Sequence, residues 1–154
     1  RDWRTFRYNP AFVQFKLKAT PERIKRMTTI QKPWGSEKIW ALTPFYTGKV
    51  INIRKGHRLS RQYHNRKVET IYVMRGPMTI EVGPDRAGDE IRSHKMLPGD
   101  TYHVPSGLVH RFCAPDADVV IMEVSTTEPN DVVRLDDDYG RDIDFREKPT
   151  QSER

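Results

Sequence analysis

The sequence predicts an all-β domain, an antiparallel barrel or sandwich built from many short strands. Nine segments of four to eight residues, between residues 37 and 125, have the apolar content of strands. Turn signals separate them, among them Gly76-Pro77 and Pro98-Gly99-Asp100. The pattern contains no heptads, internal repeats or low-complexity segments, and short strands at regular spacing are typical of β-sandwiches and barrels.

Residues 1–29 are predicted to form a basic extension that precedes the barrel. Residues 1–26 contain eight Lys or Arg and two Asp or Glu, whereas the remainder holds nineteen residues of each sign. The formal net charge of +6 therefore belongs to this segment. Its residues 12–17 suit an edge strand, and Thr20 followed by proline suits a helix start. Met27 is either the translation start or an internal methionine.

The extension also carries aromatic side chains, namely Trp3, Phe6, Tyr8, Phe12 and Phe15. A basic segment with aromatic residues can bind nucleic acid or anionic lipid. Because no nucleic-acid motif accompanies it, we expect these side chains to pack on the domain or on a partner. We predict a homodimer in which residues 11–17 are the donated strand, since small barrels leave edge strands that invite pairing.

The barrel itself is predicted to span residues 30–127. After Ser125 the chain becomes polar and acidic, so residues 128–154 are expected to cover the barrel in part and to end in a mobile tail. The predicted strands are 37–41, 48–54, 59–64, 69–75, 77–82, 90–96, 101–104, 109–113 and 118–125.

The composition favours a small soluble domain in a reducing cytoplasm. Hydrophobic residues make up 36% of the chain and charged residues 31%. No apolar run approaches the roughly 20 residues that span a bilayer, and no signal-peptide pattern is visible. The single cysteine, Cys113, cannot form an internal disulfide. We expect its side chain to be buried as a small apolar group.

Two stretches carry the residues best suited to chemistry. They hold Gly56, Gln62, His64, Glu69 and Gly76, then Gly99, Pro105 and His110. Residues two apart on a strand share a face, so Gln62 and His64 can point to one side, and Glu69 can face that side from the next strand. The spacing of the two stretches resembles the paired motifs of the cupin superfamily, with Gln62 where the first histidine of the first motif usually stands. The resemblance implies a jelly-roll barrel, also called a double-stranded β-helix.

The same resemblance implies that Gln62, His64, Glu69 and His110 bind one divalent metal ion inside the barrel. Imidazole and carboxylate suit Zn²⁺, Mn²⁺, Fe²⁺, Co²⁺ or Ni²⁺, and an amide oxygen in place of one nitrogen shifts the site toward harder ions. Gln62 would present its amide oxygen, because its NH₂ group cannot be a ligand. No organic cofactor is expected.

Several segments between residues 31 and 141 carry a closer match. They are Pro33-Trp34-Gly35, Gly56-His57-Arg58-Leu59-Ser60, Gln62-Tyr63-His64, Pro105-Ser106-Gly107, His110-Arg111 and Asp131-Val132-Val133-Arg134-Leu135-Asp136-Asp137-Asp138-Tyr139-Gly140-Arg141. These segments are similar to the type II phosphomannose isomerases, in their stand-alone, single-domain form, and the similarity covers roughly residues 31–141. In place of the histidines and arginine that the fused enzymes commonly show before the glutamate, this chain has His64-Asn65-Arg66-Lys67-Val68-Glu69.

This resemblance implies an aldose–ketose isomerase whose partner is a small sugar phosphate, with no role for a membrane or nucleic acid. The implied reaction interconverts mannose 6-phosphate and fructose 6-phosphate through a cis-enediol and feeds polysaccharide or GDP-mannose synthesis. Such a reaction needs a base near C1 or C2 and a positive group or metal that stabilises the enediolate.

Three cationic residues are candidates for the substrate pocket. Arg58 and Lys67 share side-chain parity with the ligands on their own strands and could bind the phosphate, although each also fits a solvated strand edge. Arg141, which ends the Tyr-Gly-Arg match, is expected to fold back over the barrel mouth. We predict that Lys67 and Arg141 act in catalysis as well as in substrate binding.

Two further candidates depend on which face of their strand is buried. Glu123 is an inward acid or base if Val119 and Ile121 face the core, and it is exposed on the opposite parity. His103 either lines the interior and binds substrate or simply packs.

Two other classes of function fit the same motifs. One is a metal-dependent cupin of other chemistry, such as an epimerase, a lyase or a dioxygenase, although a dioxygenase typically has histidine in place of Gln62. The other is a non-catalytic cupin that binds a sugar or regulates. Turnover of a sugar phosphate separates the isomerase from the binding protein.

Overall fold

The computed structural model describes residues 27–84, 90–128 and 130–141. These residues form twelve strands and no helix, which confirms the predicted all-β class. The strands are β1 (Thr29–Lys32), β2 (Gly35–Leu42), β3 (Thr47–Ile53), β4 (His57–Arg58), β5 (Arg61–Tyr63), β6 (Glu69–Arg75), β7 (Met78–Gly83), β8 (Arg92–Met96), β9 (Thr101–Val104), β10 (Val109–Ala114), β11 (Val119–Ser125) and β12 (Val133–Asp136).

The strands pair into two sheets. Sheet A has the order β1-β2-β3-β11-β6-β9, and sheet B has the order β12-β5-β10-β7-β8, with β4 beside β10. Every pair is antiparallel. Strands distant in sequence thus become neighbours, and β11 lies between β3 and β6. The two sheets face each other across one interior, as in a jelly roll.

The inward faces of the strands change from apolar to polar along their length. Side chains two apart share a face, and in β11 Val119 and Ile121 pack in the core while Glu123 is buried on the same side. In β6, Val73 and Ile71 lead in the same way to Glu69. The alternation therefore builds a hydrophobic core at one end of the barrel and a buried polar cluster at the other.

The sheets extend further than the sequence predicted. β12 pairs with β5, so sheet B continues to Asp136, beyond the predicted barrel boundary at residue 127. β1 adds an edge to sheet A from Thr29 onward. Neither strand was predicted, because TIQK has no apolar alternation and the alternation in VRLD covers only four residues within a polar, acidic segment. The strand predicted at 59–64 is shortened to β5 at Arg61–Tyr63, and the separate strand β4 precedes it at His57–Arg58.

The predicted edge strand at 12–17, the helix start at 20–26 and the donated strand at 11–17 lie outside the described residues. The homodimer therefore stays a prediction. In the described ranges, no helix has the length and apolar character needed to cross a membrane. Cys113 is buried and free, as predicted, and burial raises the pKa of its thiol to about 11, so the reactive thiolate is scarce near neutral pH.

Candidate metal centre

Three predicted ligands meet inside the barrel at its polar end. Glu69 opens β6, His110 lies in β10 and His64 directly follows β5. Nε2 of His110 lies 3.2 Å from one carboxylate oxygen of Glu69, and Nε2 of His64 lies 3.5 Å from the other. Ligand atoms from all three residues fall within 4.8 Å of one another. Since the side chains are at most 2% exposed, this is an interior cluster.

Both imidazole rings are oriented by main-chain carbonyls. Nδ1 of His64 donates to the carbonyl oxygen of Asp131, and Nδ1 of His110 donates to that of Leu108 at 3.0 Å. A carbonyl can only accept, so each Nδ1 must carry the proton. In a neutral ring, Nε2 is then left with its lone pair directed at the cluster, which is the usual way that proteins orient histidine ligands of a metal.

The donor set fits a divalent cation. Nε2 of both histidines and Oε1 of Glu69 are buried without a hydrogen-bond partner. Lone pairs of two imidazoles and a carboxylate this close repel one another unless positive charge lies between them. A metal ion would satisfy all three atoms at once, whereas leaving them unpaired costs about 1–3 kcal/mol each. Imidazole and carboxylate suit several first-row divalent ions and do not distinguish among them.

Gln62 stands next to this cluster in the sheet. It lies directly opposite His110 in the β5–β10 pair, so the two side chains share the inward face. Ser60 donates a hydrogen bond of 2.8 Å to Oε1 of Gln62. An amide oxygen has two lone pairs, so this bond fixes the side chain and leaves one lone pair for a further partner.

A buried chain of charges adjoins the cluster. Nζ of Lys67 donates to Oε2 of Glu69 and, at 2.9 Å, to Oε1 of Glu123. Nζ of Lys49 lies 3.4 Å from the same oxygen of Glu123. The side chain of Glu123 is 3% exposed, so the inward parity of β11 is the one the structure adopts. Burial alone would lower the pKa of Lys67, but Glu123 and Glu69 outweigh it and raise that pKa.

The pKa of Glu69 moves in the opposite direction. Burial would raise it, but hydrogen bonds from His110 and His64, which form only when Nε2 carries a proton, together with the charge of Lys67 hold it well below its usual range. Glu69 is therefore a carboxylate and Lys67 an ammonium ion across the physiological pH range. The pair presents an anionic ligand to the cluster and a cation to the space beside it.

A cavity of about 150 Å³ opens from the cluster toward the surface. Since a water needs roughly 10–15 Å³ of such space, the cavity can admit a small polar molecule.

Four of the charged residues that line the cavity were not predicted from the sequence, namely Lys32, Glu37, Lys49 and Arg134. Lys49 could have been found, because it alternates with the core residues Ile51 and Ile53. Lys32 and Arg134 were missed because their strands, β1 and β12, were not recognised. The charged side chains lining the cavity are Lys32, Glu37, Lys49, Lys67, Glu69, Glu123, Arg134 and Arg141.

Arg141 returns to the barrel and lines this cavity. Its guanidinium pairs with the carboxylate of Asp137, whose side chain is fully buried, and it lies 5.6 Å from the ring centre of Tyr139. Gly140 has φ of 69°, a left-handed conformation that glycine adopts without strain. Burial would raise the pKa of Asp137, but its bonds to Arg141 keep that pKa low. The turn predicted from Tyr-Gly-Arg therefore exists, with Asp137 as its internal partner.

The structure does not bring Arg58 or His103 to the cavity. Arg58 makes a two-pronged ion pair with Asp138, at 2.7 and 2.9 Å. Arg58 lies opposite Cys113 and Gln62 opposite His110, so five residues on one side of the ladder face four on the other. The extra residue turns Arg58 to the outer face. His103 is exposed on β9 and bonds to Thr70.

The sequence comparison agrees with this architecture. A family model described as "Cupin domain" matches residues 49–125, half of the chain. The chain belongs to the cupin family. The matched range begins in β3 and ends at the last residue of β11, so it contains all four predicted ligands of this cupin. No curated protein sequence matches the chain significantly.

Solved structures are similar to this cupin over most of its length. The capsular polysaccharide assembling protein CapF from Staphylococcus aureus aligns over 73% of the chain with a TM-score of 0.65 and 21% identity. KdgF from Halomonas sp. aligns over 70% of this chain and 90% of its own, with a TM-score of 0.57 and 20% identity. An S161A mutant of the oxalate decarboxylase OxdC of Bacillus subtilis aligns over 70% of the chain, with a TM-score of 0.59 and 18% identity.

This cupin spans about a third of the length of CapF, 33%, and 30% of OxdC. At these identities the likeness shows the fold alone. The resemblance of the sequence motifs to phosphomannose isomerases therefore stays a prediction.

Proposed function

We propose that this cupin is a metal-dependent sugar-phosphate isomerase that interconverts mannose 6-phosphate and fructose 6-phosphate through a cis-enediol. The observation that carries the proposal is that a cluster suited to metal binding and a pair suited to proton transfer lie side by side. A His64–Glu69–His110 cluster suited to a divalent ion lies beside a buried pair, Lys67 and Glu123, suited to proton transfer. The sequence motifs supply the substrate class, and the positive charge of the cavity supports it.

The proposed metal ligands are the three cluster residues together with Gln62. Its position opposite His110 brings its amide oxygen to the same inward face. A divalent ion held there would polarise the oxygens of the substrate at C1 and C2. The protein's own part is to hold the ligands in place, which the carbonyls of Asp131 and Leu108 and the hydroxyl of Ser60 do.

Glu123 is the proposed base. Its carboxylate is buried and lines the cavity, so a substrate carbon can approach an oxygen shielded from bulk water. In the forward direction it would remove the proton from C2 of mannose 6-phosphate while the carbonyl oxygen at C1 gains a proton, which gives the cis-enediol. The same carboxyl would then return its proton to C1 as the hydroxyl at C2 loses its own, and the ketose forms.

Lys67 and Arg141 supply positive charge to this reaction. Nζ of Lys67 bridges Glu69 and Glu123, so it lies between the proposed ligand and the proposed base and can stabilise an enediolate. Arg141 lines the cavity from the C-terminal turn and adds positive charge at the mouth. Both roles rest on these positions and on the family resemblance.

The reaction in ²H₂O provides the test. Metal-replete protein should convert mannose 6-phosphate into fructose 6-phosphate, and NMR should detect solvent deuterium at C1 of the product. A base that exchanges its proton with solvent at the enediol stage leaves this signature, whereas a direct hydride shift does not. The matched control is the His64→Ala, His110→Ala double variant, which should fold and lack turnover.

Two results would reject the proposal. Saturable binding of sugar phosphates without turnover would leave a non-catalytic sugar-binding cupin. Turnover by the double variant equal to that of the parent would remove the metal cluster from the mechanism.

A further inference from the structure

The cations that line the cavity are not equivalent. Lys32 lies 3.7 Å from Glu37, Lys49 lies 3.4 Å from Glu123, Lys67 bridges two carboxylates and Arg141 binds Asp137. Arg134 lines the same cavity. Among residues 27–84, 90–128 and 130–141, no carboxylate or carbonyl accepts from its guanidinium, and its Nε is buried without an acceptor.

The Arg134 side chain is half-buried, and Nε is the atom in it that is removed from water without an acceptor. A buried donor without a partner loses its hydrogen bonds to water, and the cost is larger when the group is charged. The other cavity cations show that this protein does provide carboxylates where it buries positive charge. The missing acceptor of Arg134 is therefore best explained by a ligand that carries its own negative charge.

The register of sheet B fixes where that ligand lies. Arg134 in β12 is opposite Gln62 in β5, and Gln62 is opposite His110 in β10. These three side chains form one row across the inward face. Because two inter-strand spacings lie between them, the Cα atoms of Arg134 and His110 are about 10 Å apart. The extended guanidinium thus belongs to the same cavity as the metal cluster but lies on its far side.

The geometry points to Arg134 as the residue that binds the oxyanion of the substrate, a phosphate monoester or a carboxylate, on the side of Gln62 away from the His64–Glu69–His110 cluster. This inference rests on the proposed function for the claim that the other end of the same molecule reacts. A planar guanidinium suits phosphate and carboxylate alike, because two of its N–H groups can donate to two oxygens. Arg134 would then set the substrate class by requiring an anion at a fixed distance from the cluster.

Direct binding measurements test this without relying on turnover. Calorimetry on the metal-loaded protein would compare inorganic phosphate, mannose 6-phosphate, a hexuronate and mannose itself. Arg134→Gln should weaken binding of the anions by about 10- to 100-fold, the range for losing a charge-assisted hydrogen bond, and leave the affinity for mannose unchanged. Arg134→Lys should recover part of the loss. Comparison of the phosphate ester with the hexuronate identifies which oxyanion the site prefers.

Arg92→Gln is the matched control. Arg92 is exposed on β8, at the edge of sheet B opposite β12, so the change removes the same charge far from the cavity and should alter no affinity. Metal content and melting temperature should be equal in all variants. If Arg134→Gln does not fold, Arg134→Lys carries the comparison, with a loss of anion affinity expected and none for mannose.

Several outcomes would overturn the inference. One is equal anion affinity in the Arg134 variants and the parent. Another is an equal loss of affinity for mannose and for mannose 6-phosphate in Arg134→Gln. The third is failure of the parent to bind any of the anions. Anion binding through Arg134 without isomerisation would leave the inference standing and reject the proposed function. Isomerisation with an unchanged KM in Arg134→Gln would do the reverse.

Discussion

The main-chain carbonyl of Asp131 accepts a hydrogen bond from Nδ1 of His64, although the two residues are 67 positions apart in the chain. The side chain of Asp131 binds the same loop, accepting from the backbone N–H groups of Asn65, Arg66 and Lys67 at 2.7 to 3.0 Å. One residue of the C-terminal segment thus orients a proposed metal ligand and fixes the loop that leads to Glu69.

The His64–Glu69–His110 cluster should bind about one divalent ion per chain when the protein is purified without chelator. Replacing both His64 and His110 by alanine removes two of its three ligands and should abolish that metal. Replacing His103 and His94 by alanine provides the control, because both histidines are exposed. Elemental analysis measures the content, and a double variant at positions 64 and 110 that holds as much metal as the parent would show that the ligands are assigned wrongly.

Asp131→Asn should destabilise the protein in a pH-dependent way. Burial would raise the pKa of Asp131, but its hydrogen bonds to the 65–67 loop lower it from the usual 3.8 to about 2. The stabilisation is therefore fully present above pH 4 and is lost as the pH falls from about 4 to 2. Because solvent screens part of the interaction, we expect about 1–2 kcal/mol at pH 7.

Urea unfolding of the parent and of Asp131→Asn at pH 7, 5, 4 and 3 measures this difference. The gap in the free energy of unfolding should be constant down to pH 4 and about half as large at pH 3. The exposed Asp116 supplies a control, since Asp116→Asn removes the same charge without touching the loop. A gap that widens toward low pH would contradict the assignment of the shift to folded-state contacts.

The fold could be predicted because its central strands are short apolar runs bounded by turn signals. β3, β6 and β11 bury side chains at every second position, and their turns contain glycine or proline. The proposed ligands came instead from the resemblance of the motif spacing to cupins, and strand parity only allowed Gln62, His64 and Glu69 to share a face. Where the ladder is irregular the reasoning failed, and the extra residue between β4 and β5 turned Arg58 away from the cavity.

Residues outside regular alternation could not be placed from sequence. Arg134 belongs to β12, which pairs with β5, and the apolar alternation of this strand is only four residues long within an acidic segment. The face of Glu123 was open because both parities of β11 present apolar residues: Val120, Met122 and Val124 on one side, Val119 and Ile121 on the other. Only the pairing of β11 between β3 and β6 decides which side is the interior.

Glu123→Gln should lower kcat by about 10²- to 10⁴-fold, the usual contribution of a general base, with little change in metal content. The substitution preserves volume and keeps an oxygen that can accept from Lys67. Glu37→Gln is the control, because Glu37 also lines the cavity but has no contact with Lys67. Steady-state kinetics with mannose 6-phosphate, together with elemental analysis, checks the effect. Equal kcat in the Glu123→Gln variant and the parent would assign the proton transfer to another group.

Arg141→Ala should lower kcat/KM for a sugar phosphate by about 10²-fold, typical of losing a positioned charge in a closed site. The structure adds a second effect. The carboxylate of Asp137 is fully buried against Arg141, so the alanine variant leaves a buried charge that only the backbone N–H groups of Tyr139 and Arg141 bind. It should therefore also be less stable than the parent, and a loss of activity in it has two possible origins.

Arg141→Lys separates those origins. It keeps a positive charge near Asp137 but loses the planar fork, so it should retain most of the stability and recover only part of kcat/KM. Arg75→Ala removes an exposed arginine of β6 and should change neither quantity. Thermal unfolding and steady-state kinetics on the four proteins give the comparison. If Arg141→Lys restores stability and kcat/KM together, or if Arg141→Ala keeps kcat/KM unchanged, Arg141 acts only by pairing with Asp137 and has no part in binding or converting the substrate.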